Sequence, residues 1–93
     1  MITMTRRAHE VVRQITSHPR VGRRSGLRIA SRAPQTDALG VHTVAEPQPG
    51  DRIVESDGAR VYLDEVAEPR VDGRVLDAVT EDTGRVRFMV KDR

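Results

Sequence analysis

The 93-residue sequence contains no cysteine. Disulfides, thiol redox chemistry and metal sites built on thiolates are therefore excluded. Aromatic residues are almost as scarce, because Tyr62 and Phe88 are the two in the chain. A hydrophobic core must then be built from Val, Ile, Leu and Ala, and a chain of this length predicts one domain over residues 1–93.

Long apolar runs are missing as well. No run approaches the ~18 consecutive apolar residues of a membrane-spanning helix. The opening sequence, MITMTRRAHE, has no apolar core of the kind found in export signals. We therefore expect a cytoplasmic protein that has no membrane partner.

Positive charge is concentrated in the first third of the chain. Residues 1–32 contain eight arginines and one acidic residue, a net charge of +7, whereas residues 33–93 contain eight basic and 13 acidic residues, a net charge of −5. Six of the arginines define a candidate surface for an anionic partner: Arg6, Arg7, Arg13, Arg20, Arg23 and Arg24. Because charge asymmetry is informative about partners rather than fold, this surface predicts an acidic protein or nucleic acid.

Nucleic acid is the less favoured of these two partners. Binding of single strands commonly uses aromatic side chains on which bases stack, and neither aromatic residue lies in the arginine-rich region. We therefore expect a protein partner. A solvated arginine surface, balanced by the acidic remainder of the same domain, is the alternative to any partner.

An amphipathic helix is predicted near the N-terminus, in TRRAHEVVRQITSHP. Its apolar residues recur at the spacing of one helix face: Ala8, Val11, Val12 and Ile15. The hydroxyl of Thr5 or Thr3 can accept a hydrogen bond from a free N–H of the first turn. Pro19 disfavours helical geometry in the residue before it, so we expect the helix to end there.

Most of the remaining chain alternates apolar and polar residues, which is typical of half-buried strands. The pattern predicts strands in GLRIAS (26–31), LGVHTV (39–44) and GRVRFMVKD (84–92). Between two further strand-like runs lies Asp57-Gly58. This pair favours a two-residue type I′ hairpin, because both turn residues need a positive φ.

The segment between these strands is less regular. Pro69 and Gly73 limit DEVAEPRVDG to one helical turn, and the period of RVLDAV fits a helix as well as a strand. Taken together, the elements predict an α+β, mainly β fold. In this fold the N-terminal helix packs on a small, mostly antiparallel β sandwich or barrel.

Three stretches, in this order and spacing, resemble the A-type iron–sulfur carrier (HesB-like) family: GLRIA, then AEPQPGDRIVESDGARVYLD, then VDGRVLDAVTEDTGRVRFMV. The family typically has a Pro-Gly-Asp turn, a hairpin around Asp-Gly and an Asp-Gly-x-x-Leu/Ile-Asp stretch. The last of these corresponds to Asp72, Gly73, Leu76 and Asp77. The Thr-capped N-terminal helix also suits the family, so the resemblance covers essentially the whole chain and implies a HesB-like domain.

The cysteines that bind iron in that family have no counterpart here. The resemblance implies one cysteine in the loop after LRIA and a Cys-x-Cys pair near the C-terminus. The position of the first falls among Pro34, Gln35, Thr36 and Asp37, and the sequence ends at VKDR, before or just where the pair would begin. Because iron–sulfur clusters are held mainly by thiolates, we predict a degenerate member with no metal ligands and no cofactor.

Other residue types that could support a metal site or a nucleophile are scattered. His9, His18 and His42 are far apart in sequence, and a metal needs its ligands around one point. We expect solvated or hydrogen-bonded histidines, and a weak iron site of His42 with Asp37 is the alternative. Ser17 next to His18 is not a catalytic triad, and no Gly-x-Ser-x-Gly motif occurs.

The acidic residues that lie close together in the sequence do not indicate catalysis. Asp64, Glu65 and Glu68, and then Glu81 and Asp82, lie in polar, turn-rich stretches, whereas general acid–base catalysis needs a carboxyl group whose pKa is tuned by burial or by neighbouring charges. We therefore predict no enzymatic activity.

Two functions follow from these patterns, with no prediction for the oligomeric state. The first is an accessory or interaction protein of iron–sulfur cluster assembly, as the resemblance implies, without cluster-ligating cysteines. The alternative is an arginine-rich binding module for an anionic partner, an acidic protein or nucleic acid, unrelated to iron.

Overall fold

The computed structural model describes residues 2–17, 24–31 and 39–92. Its strands are β1 (Thr3–Met4), β2 (Gly26–Ser31), β3 (Leu39–Val44), β4 (Arg52–Ser56), β5 (Ala59–Leu63), β6 (Val75–Thr80) and β7 (Val86–Lys91). Its helices are α1 (Arg6–Ser17) and α2 (Ala67–Val71). The predicted fold class is confirmed, because α1 packs against two small sheets, and strands are the most abundant element of the described residues.

The two sheets have the strand orders β3-β2-β5-β4 and β1-β6-β7. The pairs β2/β3, β4/β5 and β6/β7 are antiparallel, whereas β1/β6 and β2/β5 are parallel. The sandwich is therefore mostly antiparallel with two parallel contacts. Parallel neighbours need a long connection, and no local sequence pattern indicates which distant strand will be the neighbour.

Helix α1 begins and packs as its sequence predicts. The Thr5 hydroxyl accepts a hydrogen bond from the Ala8 N–H at 3.2 Å, which satisfies one of the free donors of the first turn. Ala8 and Val12 are completely buried against the sheets. The predicted stop at Pro19 lies outside the described residues.

The hairpin at Asp57-Gly58 is confirmed. Both turn residues have a positive φ, 47° and 86° respectively, as the type I′ turn requires. Ser56 pairs with Ala59 directly across the turn, so the register of β4 and β5 is set locally. RVLDAV, ambiguous in the sequence, becomes β6, and the irregular segment before it forms the single turn of α2.

The core is aliphatic and lies between the sheets and α1, as the composition predicts. Its fully buried members include Leu27, Ile29, Val61 and Leu76. Tyr62 is buried on the opposite face of its sheet, where its hydroxyl donates to the carbonyl oxygen of Arg24. No helix among the described residues is both long and apolar enough to cross a membrane.

The first residue of β2, beside β5, must be a glycine. A Cβ atom added at Gly26 would lie 2.7 Å from the Arg60 carbonyl oxygen and 3.0 Å from the Tyr62 ring. Both distances are too short for ordinary contact, so the first residue of β2 has no room for a side chain.

Candidate functional site

The loop in which the resemblance places the first cysteine connects β2 to β3. Its four candidate positions, residues 34–37, lie outside the described residues, but the two ends of the loop are defined. Ser31 and Leu39 form the last pair of the β2/β3 ladder, and the Ser31 N–H donates to Asp64 Oδ2 at 3.1 Å. The scaffold therefore holds the loop entry by backbone pairing and one carboxylate.

Asp64, which follows β5, connects three elements at this end of the sheet. Its N–H donates to the Ile29 carbonyl oxygen at 3.2 Å, and its Oδ1 accepts from the Ala67 N–H at 2.6 Å at the start of α2. With Ser31 bound to the other carboxylate oxygen, both oxygens of Asp64 accept backbone donors. Asp64 thus has a structural role, because it links β2, β5 and α2.

The aspartate of the Pro-Gly-Asp turn pairs with an arginine inside β2. Arg28 donates to Asp51 from Nε at 2.8 Å and from Nη2 at 3.0 Å, a bidentate arrangement. The Arg28 side chain is 15% exposed and the Asp51 side chain 2% exposed. The Gln48 N–H also donates to Asp51 Oδ2 at 2.9 Å, which closes the turn.

The pKa values of this pair follow from the contact. The hydrogen bonds from Arg28 lower the pKa of Asp51 against the opposing effect of burial, and the same contact raises the pKa of Arg28. Both groups are therefore charged at neutral pH and already paired. Sequence analysis missed this ion pair, although a lone arginine within the apolar strand GLRIAS could have indicated that it needs a buried partner.

Asp77, the last residue of the Asp-Gly-x-x-Leu-Asp stretch, joins α1 to the β6/β7 hairpin. Lys91 Nζ lies 2.7 Å from its Oδ2. The Thr5 hydroxyl and the Ala78 N–H donate to its Oδ1 at 2.7 and 2.8 Å. These contacts lower the pKa of Asp77 to about 2, and the hydrogen bond from Lys91 makes the largest contribution.

We expect the stability contributed by Asp77 to disappear at acid pH. Because the pKa of Asp77 is lowered from 3.8 to about 2 by folding, its contribution is complete above pH 4 and is lost as the pH falls from about 4 to about 2. Urea unfolding of the unmodified chain and of Asp77→Asn between pH 6 and pH 2 should show a difference in midpoint that narrows across this window.

Asp82→Asn is the matched control for this measurement. Asp82 is exposed on the turn before β7 and makes no hydrogen bond or ion pair to any described residue. Its replacement should leave the midpoint nearly unchanged at every pH. A gap between the unmodified chain and Asp77→Asn that stays constant down to pH 2 would contradict the assigned role of the carboxylate.

The two histidines in the described part of the chain, His9 and His42, do not converge. His9 Nε2 lies 2.8 Å from the Ser56 carbonyl oxygen, and His42 is exposed on β3. His18 and Asp37 are outside the described residues, so the His42–Asp37 alternative stays a prediction. Within residues 2–17, 24–31 and 39–92, no three His, Cys, Asp or Glu side chains are grouped to hold a metal, and this donor set does not fit an iron–sulfur cluster.

The arginines of the candidate anionic-partner surface point to different neighbours. Arg6 has a side chain 95% exposed and lies 3.9 Å from Glu10 on the solvent side of α1. Arg7 donates to the Thr80 hydroxyl at the end of β6. Two arginines of the α1 N-terminus are therefore directed to different surroundings.

Two further members of that surface, Arg13 and Arg24, lie away from the N-terminus of α1. Arg13 is exposed and its aliphatic portion lies beside Gly58 in the hairpin turn. Arg24 is exposed just before β2. Arg20 and Arg23 are outside the described residues, so a continuous six-arginine surface stays a prediction.

Comparisons with known proteins agree with this architecture. No protein-family model and no curated protein matches the sequence. Escherichia coli SufA, involved in biosynthesis of iron–sulfur clusters, is similar in structure with a TM-score of 0.75 and 25% identity, over 98% of this chain and 79% of SufA. IscA, solved with its [2Fe–2S] cluster, has a TM-score of 0.63 and 20% identity over 99% of this chain and 85% of IscA. The resemblance read from the sequence is thus confirmed at the level of the fold: the chain has no cysteine and shares the fold of SufA and IscA over nearly its whole length.

Proposed function

We propose that this chain is a non-enzymatic, cytoplasmic accessory protein of iron–sulfur cluster assembly that acts through contacts with other proteins and does not itself bind a cluster. Its fold is that of SufA, a protein of cluster biosynthesis. The chain has no sulfur ligand with which to bind a cluster as a carrier does.

One observation carries the proposal. The motif aspartates that resemble those of the family form contacts inside the fold, and the positions at which the family binds iron carry no cysteine in this chain. Asp51 accepts hydrogen bonds from Arg28, and Asp77 forms an ion pair with Lys91 and accepts a hydrogen bond from Thr5. These contacts maintain the scaffold although sulfur ligands are absent, which supports a role in recognition rather than in cluster chemistry.

The absence of enzymatic activity is supported by the direction of the pKa shifts. Asp51 and Asp77 have lowered pKa values and full sets of hydrogen-bond donors. A general acid at neutral pH needs the opposite shift, because it must keep its proton until the reaction takes it. These carboxylates therefore stabilise the fold.

The alternative is an arginine-rich module that binds an acidic protein or nucleic acid independently of iron. It is favoured by the exposure of Arg6 and Arg13 on α1. Such binding depends on charge and weakens as salt screens the interaction. Binding of an assembly protein through a specific surface depends less on salt.

Affinity capture from the native cell separates these two functions. The tagged chain and an Arg6→Glu/Arg13→Glu variant are compared at low salt and at about 1 M salt, where the Debye length is about 3 Å. We expect proteins that bind iron or iron–sulfur clusters to be enriched with both chains and to remain bound at high salt.

The opposite pattern would favour the alternative. If the captured material consists of acidic proteins or nucleic acid, elutes with salt and is lost in the double variant, the arginine-rich module is correct. Enrichment of neither class would exclude both functions. Circular dichroism of the variant confirms beforehand that its fold is intact.

A further inference from the structure

The two sheets leave an open cleft between β3 and β7. Within the described residues, β3 pairs only with β2 and β7 only with β6, so the outer edges of both strands keep unpaired N–H and C=O groups. Residues 39–42 and 86–88 line a cleft of about 300 Å³ between these edges. Such edges are where a further strand can add to a sheet.

Apolar side chains and polar atoms line the cleft in similar proportion. Leu39, Val41 and Phe88 are half-buried and pack against the core, and Val86 remains 37% exposed. A volume of about 300 Å³ is at the lower end of ligand pockets, so it accommodates a few side chains and not a folded element.

The formally charged lining residue of the cleft within the described ranges is Arg87, which is exposed, and the exposed His42 also lines it. Neither forms a hydrogen bond or ion pair with any residue of the described ranges, and no acidic residue of those ranges lines the cleft. An occupant with carboxylates beside apolar side chains would complement the charge of Arg87 and the apolar side chains of the lining.

The opposite junction of the sheets, between β1 and β4, has no such preference. Two adjoining cavities there share Ile2 and Val54. Their charged lining residues are of both signs: Arg52, Glu55, Glu68 and Asp72. The charge complementarity is therefore specific to the cleft between β3 and β7.

We infer that the cleft between β3 and β7 binds an extended segment of a partner protein in which acidic and apolar residues alternate, and that this segment pairs with the free edge of β3. The edge of β3 is favoured because four of the seven lining residues belong to this strand: Leu39, Gly40, Val41 and His42. The alternation follows from strand geometry, in which successive side chains face opposite sides. The inference is independent of a role in iron–sulfur assembly.

Selection from a display library of short random peptides tests this inference on the whole chain. We expect the selected peptides to alternate apolar residues with Asp or Glu. A synthetic peptide of the selected sequence should then shift the backbone amide signals of residues 39–44 and 86–88 in nuclear magnetic resonance spectra. Arg87→Glu should weaken its binding about tenfold or more, because it places like charges together.

Arg85→Glu provides the matched control. It makes the same change of charge two residues before Arg87, outside the residues that line the cleft, and should change the affinity less than about twofold. His42→Glu is a second test at the other side of the cleft and should weaken binding as Arg87→Glu does. Both target residues are exposed, so the variants are expected to fold.

Several results would overturn the inference. These are selection of basic or helix-forming peptides, equal weakening by Arg85→Glu, and amide shifts confined to residues outside the cleft. Sodium glutamate that shifts the same signals as strongly as the peptide would indicate an anion site instead. Sedimentation showing that the free chain dimerises through β3 and β7, with the dimer lost in Arg87→Glu, would assign the cleft to a second copy.

Discussion

Replacing Asp51 with asparagine is expected to lower the free energy of unfolding by about 3 kcal/mol. The Asp51 side chain is 2% exposed and accepts two hydrogen bonds from Arg28. Asparagine removes the negative charge and presents an amide donor where an acceptor is needed. The Arg28 guanidinium is then left largely buried without a counter-charge. Because the Arg28 side chain is still 15% exposed, we expect a loss of unfolding free energy near the lower end of the range for broken buried ion pairs.

Two controls distinguish this pair from ordinary surface charge. Glu55→Gln breaks the more exposed pair with Arg60, whose side chains are 55% and 22% exposed, and should cost less than about 1 kcal/mol. The double variant Arg28→Met/Asp51→Leu should lose less than Asp51→Asn, because no unpaired charge stays buried. Urea unfolding measures all three, and an Asp51→Asn cost as small as that of Glu55→Gln would refute a structural role for the motif aspartate.

Restoring cysteines is expected to give the chain the iron–sulfur cluster that the unmodified chain cannot bind. Cysteine is placed in turn at Pro34, Gln35, Thr36 and Asp37, and a Cys-x-Cys tail is added after residue 93. After anaerobic incubation with ferrous iron and sulfide and then desalting, the unmodified chain should stay colourless. At least one restored variant should retain on the order of one iron atom per chain, with visible absorption.

The reason for this expectation is that the scaffold around the loop is intact. The loop ends are held by the Ser31–Leu39 pair and by Asp64, and the fold aligns with SufA over 98% of this chain. Serine at the same loop positions is the matched control, because it changes the side chain without adding a thiolate.

Either of two outcomes would contradict this account. Stoichiometric cluster absorption by the unmodified chain would show that oxygen and nitrogen ligands suffice. Failure of all four restored variants, each folded, would show that features of the loop other than its missing cysteine prevent binding. IscA, whose structure contains a [2Fe–2S] cluster, is treated in parallel and establishes that the reconstitution itself succeeds.

Elements that depend on neighbours in sequence could be predicted in advance. The helix required only the spacing of Ala8 and Val12 and a threonine before it. The hairpin required only Asp57-Gly58, whose two positive φ values are local properties of the turn. RVLDAV could not be assigned in this way, because its strand conformation comes from pairing with β1 and β7.

The candidate site was predictable only in its chemistry. Counting residues showed that no thiolate is present, whatever the fold. It did not show that Arg28 meets Asp51, a contact between residues 23 positions apart. The motif aspartates were recognised as a pattern, and their function as acceptors for Arg28, Lys91 and backbone donors appeared only in three dimensions.

The sequence by itself therefore determined the α+β class, the helix, the hairpin and the loss of sulfur ligands, since each is a property of residue identity or of spacing over a few residues. The tertiary structure decided which strands became edges, where the cleft between β3 and β7 opened and which charges were paired. Those features depend on contacts between distant parts of the chain, and the free energy of such contacts is set by burial and geometry that no local pattern contains.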